Sequence, residues 1–419
     1  MKFTSTEATP APHVPPGVLR LTGAAKEDIP MYRIQTMNKI SPVGLNRFPS
    51  ELYEVGDAVQ DPQGILVRSA KLLDLEFNPS LLAIARAGVG VNNIPLDRCA
   101  AAGIPVFSTP GANANAVKEL VICAMLMGSR DIPGAIRWVR EQAASGVDVS
   151  TVVEKGKSAF IGPELYKKTL GIIGLGAIGS IVANTAISLG MDVYGYDPFL
   201  SVDTALRLDR HVHVVKDIND LYKRSDYITM HIHYTEKTAH MIDADAIAAM
   251  KRGVRVINLA RGEIVDDEAM LTALDTGMVA AYITDFPNNR LLTAPHVIAM
   301  PHLGASTPES EQNCAAMAVD TLRDYLESGN IRSSVNLPEM TMDRSGVQRL
   351  CVLHKNVPGM LANITSLFGR DGVNVENLSN KSRGDYAYTM VDVNTRISDQ
   401  VADELRAIEG VIRVRVLNH

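Results

Sequence analysis

Short apolar runs alternate with amphipathic stretches along most of the chain. From Tyr32 onward, the runs GILVRS, LLAIARA and IPVFST are typical of buried strands, and ANAVKELVICAMLMGSR is typical of a helix. A second series begins at Thr169 with six strand-like runs, each separated by a helix-sized segment: TLGIIGLG, DVYGYDP, YITMHIH, VRVINLA, AAYITDF and VIAMPH. This alternation predicts an α/β fold whose second part is a Rossmann-type, doubly wound sheet of six parallel strands.

The pattern changes after the second series. The run STPESEQNCAAMAVDTLRDYLESGN predicts a helix with Ser306 or Thr307 as N-cap, Pro308 in its first turn and Gly329 at its end. Residues 332–347 have little periodicity, so they are predicted to be a linker. Residues 348–419 run as strand, helix, two strands, helix and strand, which predicts a ferredoxin-like βαββαβ sandwich.

Composition narrows the class of protein. A chain of 419 residues with 46% hydrophobic residues is expected to form two or three domains. The net charge is -6 and no dense basic run is present, so nucleic acid is not an expected partner. Four separated cysteines lack the spacing of a metal site, which predicts no metal and favours buried, reduced thiols in a cytoplasmic protein. Residues 1–29 lack a signal-peptide core and are predicted to form a flexible tail.

One uncharged stretch, Thr169 to Met191, is long enough to cross a bilayer. It contains five glycines and Asn184, and it also parses as strand, turn and helix, so no membrane span is predicted. Its GLGAIG segment places three glycines where a helix N-terminus can face a pyrophosphate: Gly174, Gly176 and Gly179. Asp197 follows 18 residues after Gly179 and can bind an adenine ribose, which predicts NAD rather than NADP. The alternative is that Asp197 only forms the turn before Pro198.

Two further residues stand at strand ends, where open α/β sheets bind ligands. Arg261 lies in NLARGEIVDDEAM and His302 in MPHLGAST. An arginine that holds a carboxylate and a histidine that moves a hydroxyl proton are the groups that hydride transfer to or from a 2-oxo acid needs.

With these motifs, the chain from about Met31 onward resembles the D-isomer-specific 2-hydroxyacid dehydrogenases. The resemblance implies a flavodoxin-like substrate domain from residues 30–125 and 303–331, and an NAD-binding domain from residues 126–302. It also implies oxidation of 3-phosphoglycerate to 3-phosphohydroxypyruvate, the first step of L-serine biosynthesis, by a cytoplasmic homotetramer or homodimer. A glyoxylate or hydroxypyruvate reductase and an NAD-sensing, corepressor-like scaffold are the alternatives.

The resemblance also assigns roles to residues. Arg261 would bind the substrate carboxylate and His302 would be the general base. Residues implied to bind the substrate are Arg68, Ser69, Arg86, Val89, Gly90 and Asn113, although Arg68 and Arg86 also fit surface ion pairs. Residues implied to bind the cofactor are Gly174, Gly176, Ala177, Ile178, Gly179, Asp197, Ala260, Asp285 and Gly304.

The C-terminal module resembles an ACT regulatory domain. Its LHKNVPGMLANI segment enters a helix through Pro358 and Gly359, which exposes backbone N–H groups suited to a small carboxylate. The resemblance implies an L-serine site between paired domains, formed by His354, Asn356 and Asn374. A module used only for oligomerisation is the alternative.

The chain departs from the family at ITDFPNN. Most relatives carry a glutamate in the loop after this strand end, and it orients the catalytic histidine. Counting forward from Asp285 reaches Asn289 and Arg290 instead. The acidic partner of His302 is therefore left open by the sequence.

Overall fold

The computed structural model describes residues 31–418, and its strands form three separate sheets. The predicted tail, residues 1–29, lies outside the described residues. The first sheet has five parallel strands in the order β2-β1-β3-β4-β5. Its strands are β1 (Tyr32–Met37), β2 (Tyr53–Gly56), β3 (Gly64–Val67), β4 (Ala83–Arg86) and β5 (Val106–Phe107), with helices α1 (Pro42–Leu45) and α2 (Leu96–Ala101).

The second sheet has seven parallel strands in the order β12-β11-β10-β9-β6-β7-β8. The order reverses between β9 and β6, so the predicted doubly wound sheet is confirmed. Its strands are β6 (Thr169–Ile173), β7 (Asp192–Tyr196), β8 (His213–Val215), β9 (Tyr227–Met230), β10 (Val254–Asn258), β11 (Val279–Thr284) and β12 (Val297–Ala299). The sequence predicted six of them. It missed β8, an edge strand of three residues that are not buried and therefore show no hydrophobic run.

Eight helices accompany the second sheet. They are α3 (Ala114–Arg130), α4 (Ile132–Ala144), α5 (Val149–Gly156), α6 (Ala177–Ser188), α7 (Val202–Ala205), α8 (Ile218–Arg224), α9 (Ala244–Ala248) and α10 (Asp267–Asp275). The next helix, α11 (Pro308–Ser328), returns to the first sheet and packs into its core. Its ends are as predicted: Thr307 accepts a hydrogen bond from the Ser310 amide, and Gly329 closes the helix at a φ of 76°.

The third sheet is antiparallel, in the order β14-β15-β13-β16, and two helices cover one of its faces. Its elements are β13 (Gln348–Lys355), α12 (Met360–Arg370), β14 (Val375–Arg383), β15 (Tyr386–Val393), α13 (Asp399–Ala407) and β16 (Val411–Asn418). This βαββαβ order confirms the ferredoxin-like prediction.

The other face of the third sheet packs on the first domain. Leu353 and Tyr388 share one apolar core with Ile34 and Tyr325. Arg415 of β16 donates hydrogen bonds to the carbonyl oxygens of Tyr325 and Leu326, in the last turns of α11. The C-terminal module is therefore built into the first domain's core rather than tethered beside it.

A buried ion pair fastens the connecting segment, residues 332–347, to this interface. Arg349 and Asp392 are both fully buried and form two hydrogen bonds of 2.6 and 2.7 Å. The remaining donors of Arg349 reach the carbonyl oxygens of Ser328, Met342 and Asp343, each at 2.9 Å. All five guanidinium N–H groups are thus satisfied, and they tie α11, the connecting segment and the third sheet together.

The structure shows where the four cysteines lie and whether any described helix could span a membrane. Cys99, Cys314 and Cys351 are buried free thiols, but Cys123 is exposed, so the prediction of four buried cysteines is wrong for this residue. Cys123 lies on the outer face of α3, where the apolar pattern of the helix concealed its position. Among residues 31–418, no helix has both the length and the apolar character needed to cross a bilayer.

Candidate active site

The turn between β6 and α6 forms a cradle for an anion. Gly174 has a φ of 90°, and a Cβ there would lie 2.6 Å from the His231 carbonyl oxygen. A Cβ at Gly179 would lie 1.9 Å from the Gly174 carbonyl oxygen, whereas a Cβ at Gly176 would meet nothing within 4 Å. The backbone can therefore turn tightly while Gly176 stays open to a ligand. Ala177 and Ile178 begin α6, so their N–H groups have no acceptor within the helix and face the same space.

Asp197 lies at the carboxyl end of β7, beside this turn. One carboxylate oxygen accepts a hydrogen bond from the Leu175 amide at 2.9 Å, and the other accepts one from the Phe199 amide at 2.8 Å. Asp197 therefore fixes the glycine turn and also places a negative charge at the outer edge of the cradle. Its role in the turn and its proposed role toward a ribose are compatible, because each carboxylate oxygen can accept a second hydrogen bond.

A buried acid follows β11. Asp285 is 1% exposed, and its Oδ2 accepts a hydrogen bond from the Gly304 amide at 3.0 Å. Its Oδ1 is buried without a partner in the described part of the chain. Burial raises the pKa of the Asp285 carboxyl, although the Gly304 amide and the nearby His302 partly oppose this. A buried acceptor without a partner in the described part of the chain and an anion cradle fit NAD, whose carboxamide donates N–H and whose pyrophosphate needs N–H donors.

Three arginines lie close together around Gly90. A Cβ at Gly90 would lie 3.3 Å from Arg261 Nη2 and 3.4 Å from Arg86 Nη1, so both guanidinium groups border this glycine. Arg86 Nε donates to the Arg68 carbonyl oxygen at 2.9 Å, and Arg68 pairs with Glu311 of α11 at 2.5 Å. Burial lowers the pKa of the Arg86 guanidinium; Cys314 opposes this, whereas Arg261 and Arg68 add to it. A cluster of positive charges of this kind favours a polyanionic ligand.

Arg261 is held by a buried asparagine that the sequence analysis missed. Asn258 ends β10, and its Nδ2 donates to the Arg261 carbonyl oxygen at 2.8 Å. Its Oδ1 accepts a hydrogen bond from the Ala260 amide at 3.1 Å. A polar residue at the end of an apolar strand run was the available signal.

His302 follows β12 and is exposed. Its ring makes no hydrogen bond or ion pair with any residue in the range 31–418. Its aromatic neighbour is Phe286, with ring centroids 4.6 Å apart and planes inclined by 46°. The loop after Phe286 turns away toward α10, where Asn288 bonds Asp267 at 2.6 Å and Arg290 pairs with Glu268 at 2.7 Å.

The other predicted substrate residues lie in the loops that follow β3, β4 and β5. Asn113 is the N-cap of α3, and its side-chain oxygen is buried without a hydrogen bond among the described residues. The buried hydroxyl of Thr109, which the sequence analysis did not single out, is in the same state. The Ser69 amide is bound to Asn38 Oδ1 at 3.0 Å, so Asn38 shapes the loop after β3. Val89, between Gly88 and Gly90, is half-buried.

Comparison with known proteins accounts for this arrangement. The NAD binding domain of the D-isomer specific 2-hydroxyacid dehydrogenases matches residues 122–304. A D-3-phosphoglycerate dehydrogenase of Haemophilus influenzae is 32% identical over 379 residues, which cover 87% of this chain and 88% of that protein. The chain belongs to the D-isomer specific 2-hydroxyacid dehydrogenases.

Other members of the dehydrogenase family differ in extent. A D-3-phosphoglycerate dehydrogenase of Synechocystis is 36% identical over 326 residues, which cover 76% of this chain. The match spans only 56% of that relative's length. The structure of an NAD+-bound 3-phosphoglycerate dehydrogenase from Entamoeba histolytica has a TM-score of 0.56 and 26% identity, and it covers 73% of this chain and 99% of that one.

The C-terminal part of the chain also matches a known family. The ACT domain described as AHAS small subunit-like covers residues 350–413, which agrees with the expected ACT domain. His354 is buried in β13, with Nδ1 donating to the Lys355 carbonyl oxygen and Nε2 2.8 Å from Thr389 Oγ1. Burial lowers the pKa of His354, although the contacts with Lys355 and Asn380 oppose this. Both ring nitrogens of His354 are therefore already engaged.

The three predicted serine-binding residues do not meet within one chain. His354 pairs with Ala387, near the start of β15, whereas Asn374 precedes Val375, which pairs with Val393 at the end of β15. Six residues of strand separate Ala387 from Val393, or about 20 Å at about 3.3 Å per residue. Asn356 lies near the His354 end, where its Nδ2 donates to the Gly384 carbonyl oxygen at 3.1 Å.

Proposed function

We propose that the protein catalyses the NAD-dependent oxidation of 3-phosphoglycerate to 3-phosphohydroxypyruvate, the first step of L-serine biosynthesis. The observation that carries the proposal is the convergence of Arg86 and Arg261 on Gly90, with Arg68 beside them. A substrate with a carboxylate and a phosphate bears about three negative charges and needs several cationic donors. The names of the relatives in Haemophilus and Synechocystis support the same substrate.

The side chains have separate tasks in this reaction. Arg261, fixed by Asn258, binds the carboxylate and polarises the C2 oxygen. The His302 imidazole takes the C2 hydroxyl proton, and the C2–O bond becomes a double bond as the C2–H bond breaks. NAD, when bound, accepts the hydride from C2. Asp285 and Asn113 offer buried acceptors that orient the groups at the inner end of the groove.

The phosphate is assigned to Arg68, Arg86 and the loop at Ser69. Arg68 already pairs with Glu311, and both side chains are 45% exposed. A phosphate therefore shares Arg68 with a carboxylate that water can also solvate, so Glu311 moves aside at low cost.

Substrate choice is the direct test. We expect NADH formation with 3-phosphoglycerate and little with D-glycerate. Arg68→Ala should raise the KM for 3-phosphoglycerate about tenfold or more and change the KM for unphosphorylated hydroxypyruvate less than threefold. Arg47→Ala, which removes an ion-paired arginine of the same domain, serves as the matched control. Equal efficiency with glyoxylate or hydroxypyruvate, unaffected by Arg68→Ala, would contradict the proposal and favour a reductase.

Feedback inhibition by L-serine forms the second part of the proposal. Because His354 and Asn374 lie beside opposite ends of the neighbouring strand β15, a site that uses both requires ACT domains from two chains. Asn356→Ala and Asn374→Ala should each weaken inhibition about tenfold or more, as loss of a buried polar ligand does. Asn377→Ala, at an exposed asparagine of the edge strand β14, should leave inhibition unchanged. Full serine sensitivity in all three variants would contradict the assignment.

We also propose a cytoplasmic homodimer or homotetramer. Helices α4 and α5 bury none of their residues within the chain, and α4 exposes Ile132, Ile136 and Val139 at helical spacing. Light scattering after size exclusion measures the assembly. Ile136→Glu should shift it toward smaller species, and an unchanged mass would exclude this face as the contact.

A further inference from the structure

His302 lacks the support that a catalytic imidazole usually has. Its ring has no hydrogen-bonded acid or amide among the residues that the structure describes. Asp285 is the acid that influences it electrostatically, but Asp285 Oδ2 is occupied by the Gly304 amide. Arg290 and Asn288 face α10 instead. The side chain whose ring does lie against the imidazole is Phe286.

The Phe286 ring contacts both groups that carry the proposed chemistry. Its centroid lies 4.6 Å from that of His302 and 5.7 Å from Arg261 Cζ. The face of an aromatic ring carries partial negative charge, so it attracts a guanidinium and a protonated imidazole, and it stacks on a neutral imidazole. One side chain can thus fix the distance between the carboxylate-binding arginine and the proton-accepting histidine.

Phe286 is itself held firmly. Its amide donates to Thr284 Oγ1 at 3.0 Å, on the buried end of β11. A Cβ at Gly262 would lie 3.5 Å from Phe286 Cβ, so the turn after Arg261 packs against its backbone. On the other side, Asn288 and Arg290 anchor the loop to α10. The backbone is held on both sides of Phe286, so the ring can position the groups that it touches.

We propose that Phe286 is a positioning residue that orients His302 and Arg261 in place of a carboxylate partner of the histidine. The inference rests on the acid–base role given to His302 in the proposed function. Two charged groups lie near this contact: Asp285, which acts electrostatically on His302, and Arg261, which lies against the Phe286 ring.

Phe286→Leu, Phe286→Tyr and Phe77→Leu test the proposal in the full-length protein. Phe77 is the matched control, because it is also half-buried and its ring lies 5.1 Å from the Cζ atom of Arg98. For Phe286→Leu we expect kcat to fall about tenfold while the NADH dissociation constant stays within about twofold. Phe286→Tyr and Phe77→Leu should resemble the wild type.

A readout without turnover separates this inference from the choice of substrate. In protein with 13C-labelled histidine, the His302 signal is identified by its loss in His302→Gln. Relaxation of this signal should show a more mobile imidazole in Phe286→Leu than in the wild type, because the ring that lies 4.6 Å from it is lost, whichever hydroxy acid is the substrate. An unchanged mobility of the His302 ring in Phe286→Leu, or an equal change in Phe77→Leu, would overturn the positioning role. Loss of NADH affinity in Phe286→Leu would also overturn it, because the ring would then support the fold of the groove.

Discussion

Asp392→Asn removes one charge from an ion pair that has no contact with water. Arg349 and Asp392 are both 0% exposed, and the carboxylate also accepts the Ser345 amide at 2.9 Å. The variant keeps the shape of the side chain but leaves the guanidinium charge buried and uncompensated. Breaking a buried pair in this way costs about 3–5 kcal/mol. We therefore expect the melting temperature to fall by about 10 °C.

The pH dependence adds a check on the cause. Burial alone would raise the pKa of Asp392, but its hydrogen bonds to Arg349 and Ser345 outweigh burial and hold that pKa below its ordinary value. A carboxyl with a lowered folded-state pKa contributes stability above the unfolded-state value, and this is lost as the pH falls through the folded-state value. The difference between wild type and variant should therefore be full at pH 6–8 and shrink below about pH 4.

Thermal and urea unfolding followed by circular dichroism measure the effect. Asp320→Asn is the matched control: Asp320 also binds an arginine, Arg47, through two hydrogen bonds of 2.6 Å, but both side chains are nearly half exposed. It should change the melting temperature little, because water screens the pair. Equal losses in the two variants would refute the assignment of the cost to burial.

Three further changes probe the active site. Asp197→Asn should relax the preference for NADH over NADPH, and it should also weaken NADH binding about tenfold because the Leu175 amide loses a charged acceptor; both follow from dissociation constants. Asp285→Asn should raise the melting temperature of the cofactor-free protein at neutral pH, because burial raises the pKa of Asp285, and this gain should vanish below about pH 4. A hundredfold loss of turnover in that variant would instead make Asp285 the orienting carboxylate of the histidine. Gly90→Ala places a Cβ 3.3 Å from Arg261 Nη2 and should raise the substrate KM about tenfold without changing NADH affinity, as steady-state kinetics would show.

Local signals in the sequence located much of this molecule. The glycine turn after β6 and the acid at the end of β7 depend on backbone geometry within about 25 residues, so their spacing alone predicts the cradle. The caps of α11, Thr307 and Gly329, are equally local. Strand β8 escaped detection because an exposed edge strand needs no hydrophobic face.

Long-range features could not be predicted in the same way. Arg349 and Asp392 are 43 residues apart, and nothing near either of them signals a buried pair. The Phe286 ring meets His302 and Arg261 only because β10, β11 and β12 are neighbours in the sheet. His354 and Asn374 lie beside opposite ends of β15. Local sequence signals do not indicate this, because strand pairing sets the distance between them.

The packing of α11 has a consequence for synthesis on the ribosome. Strand β1 ends at residue 37, but the helix that covers its sheet ends at residue 328, so 291 residues must be made before that core can close. At about 5–20 residues per second this takes about 15–60 s. Even then the last carbonyl groups of α11 wait for Arg415. The domain of the seven-stranded sheet lies in the chain between the N-terminal strands and α11. It can fold first, while the N-terminal strands remain open to chaperones.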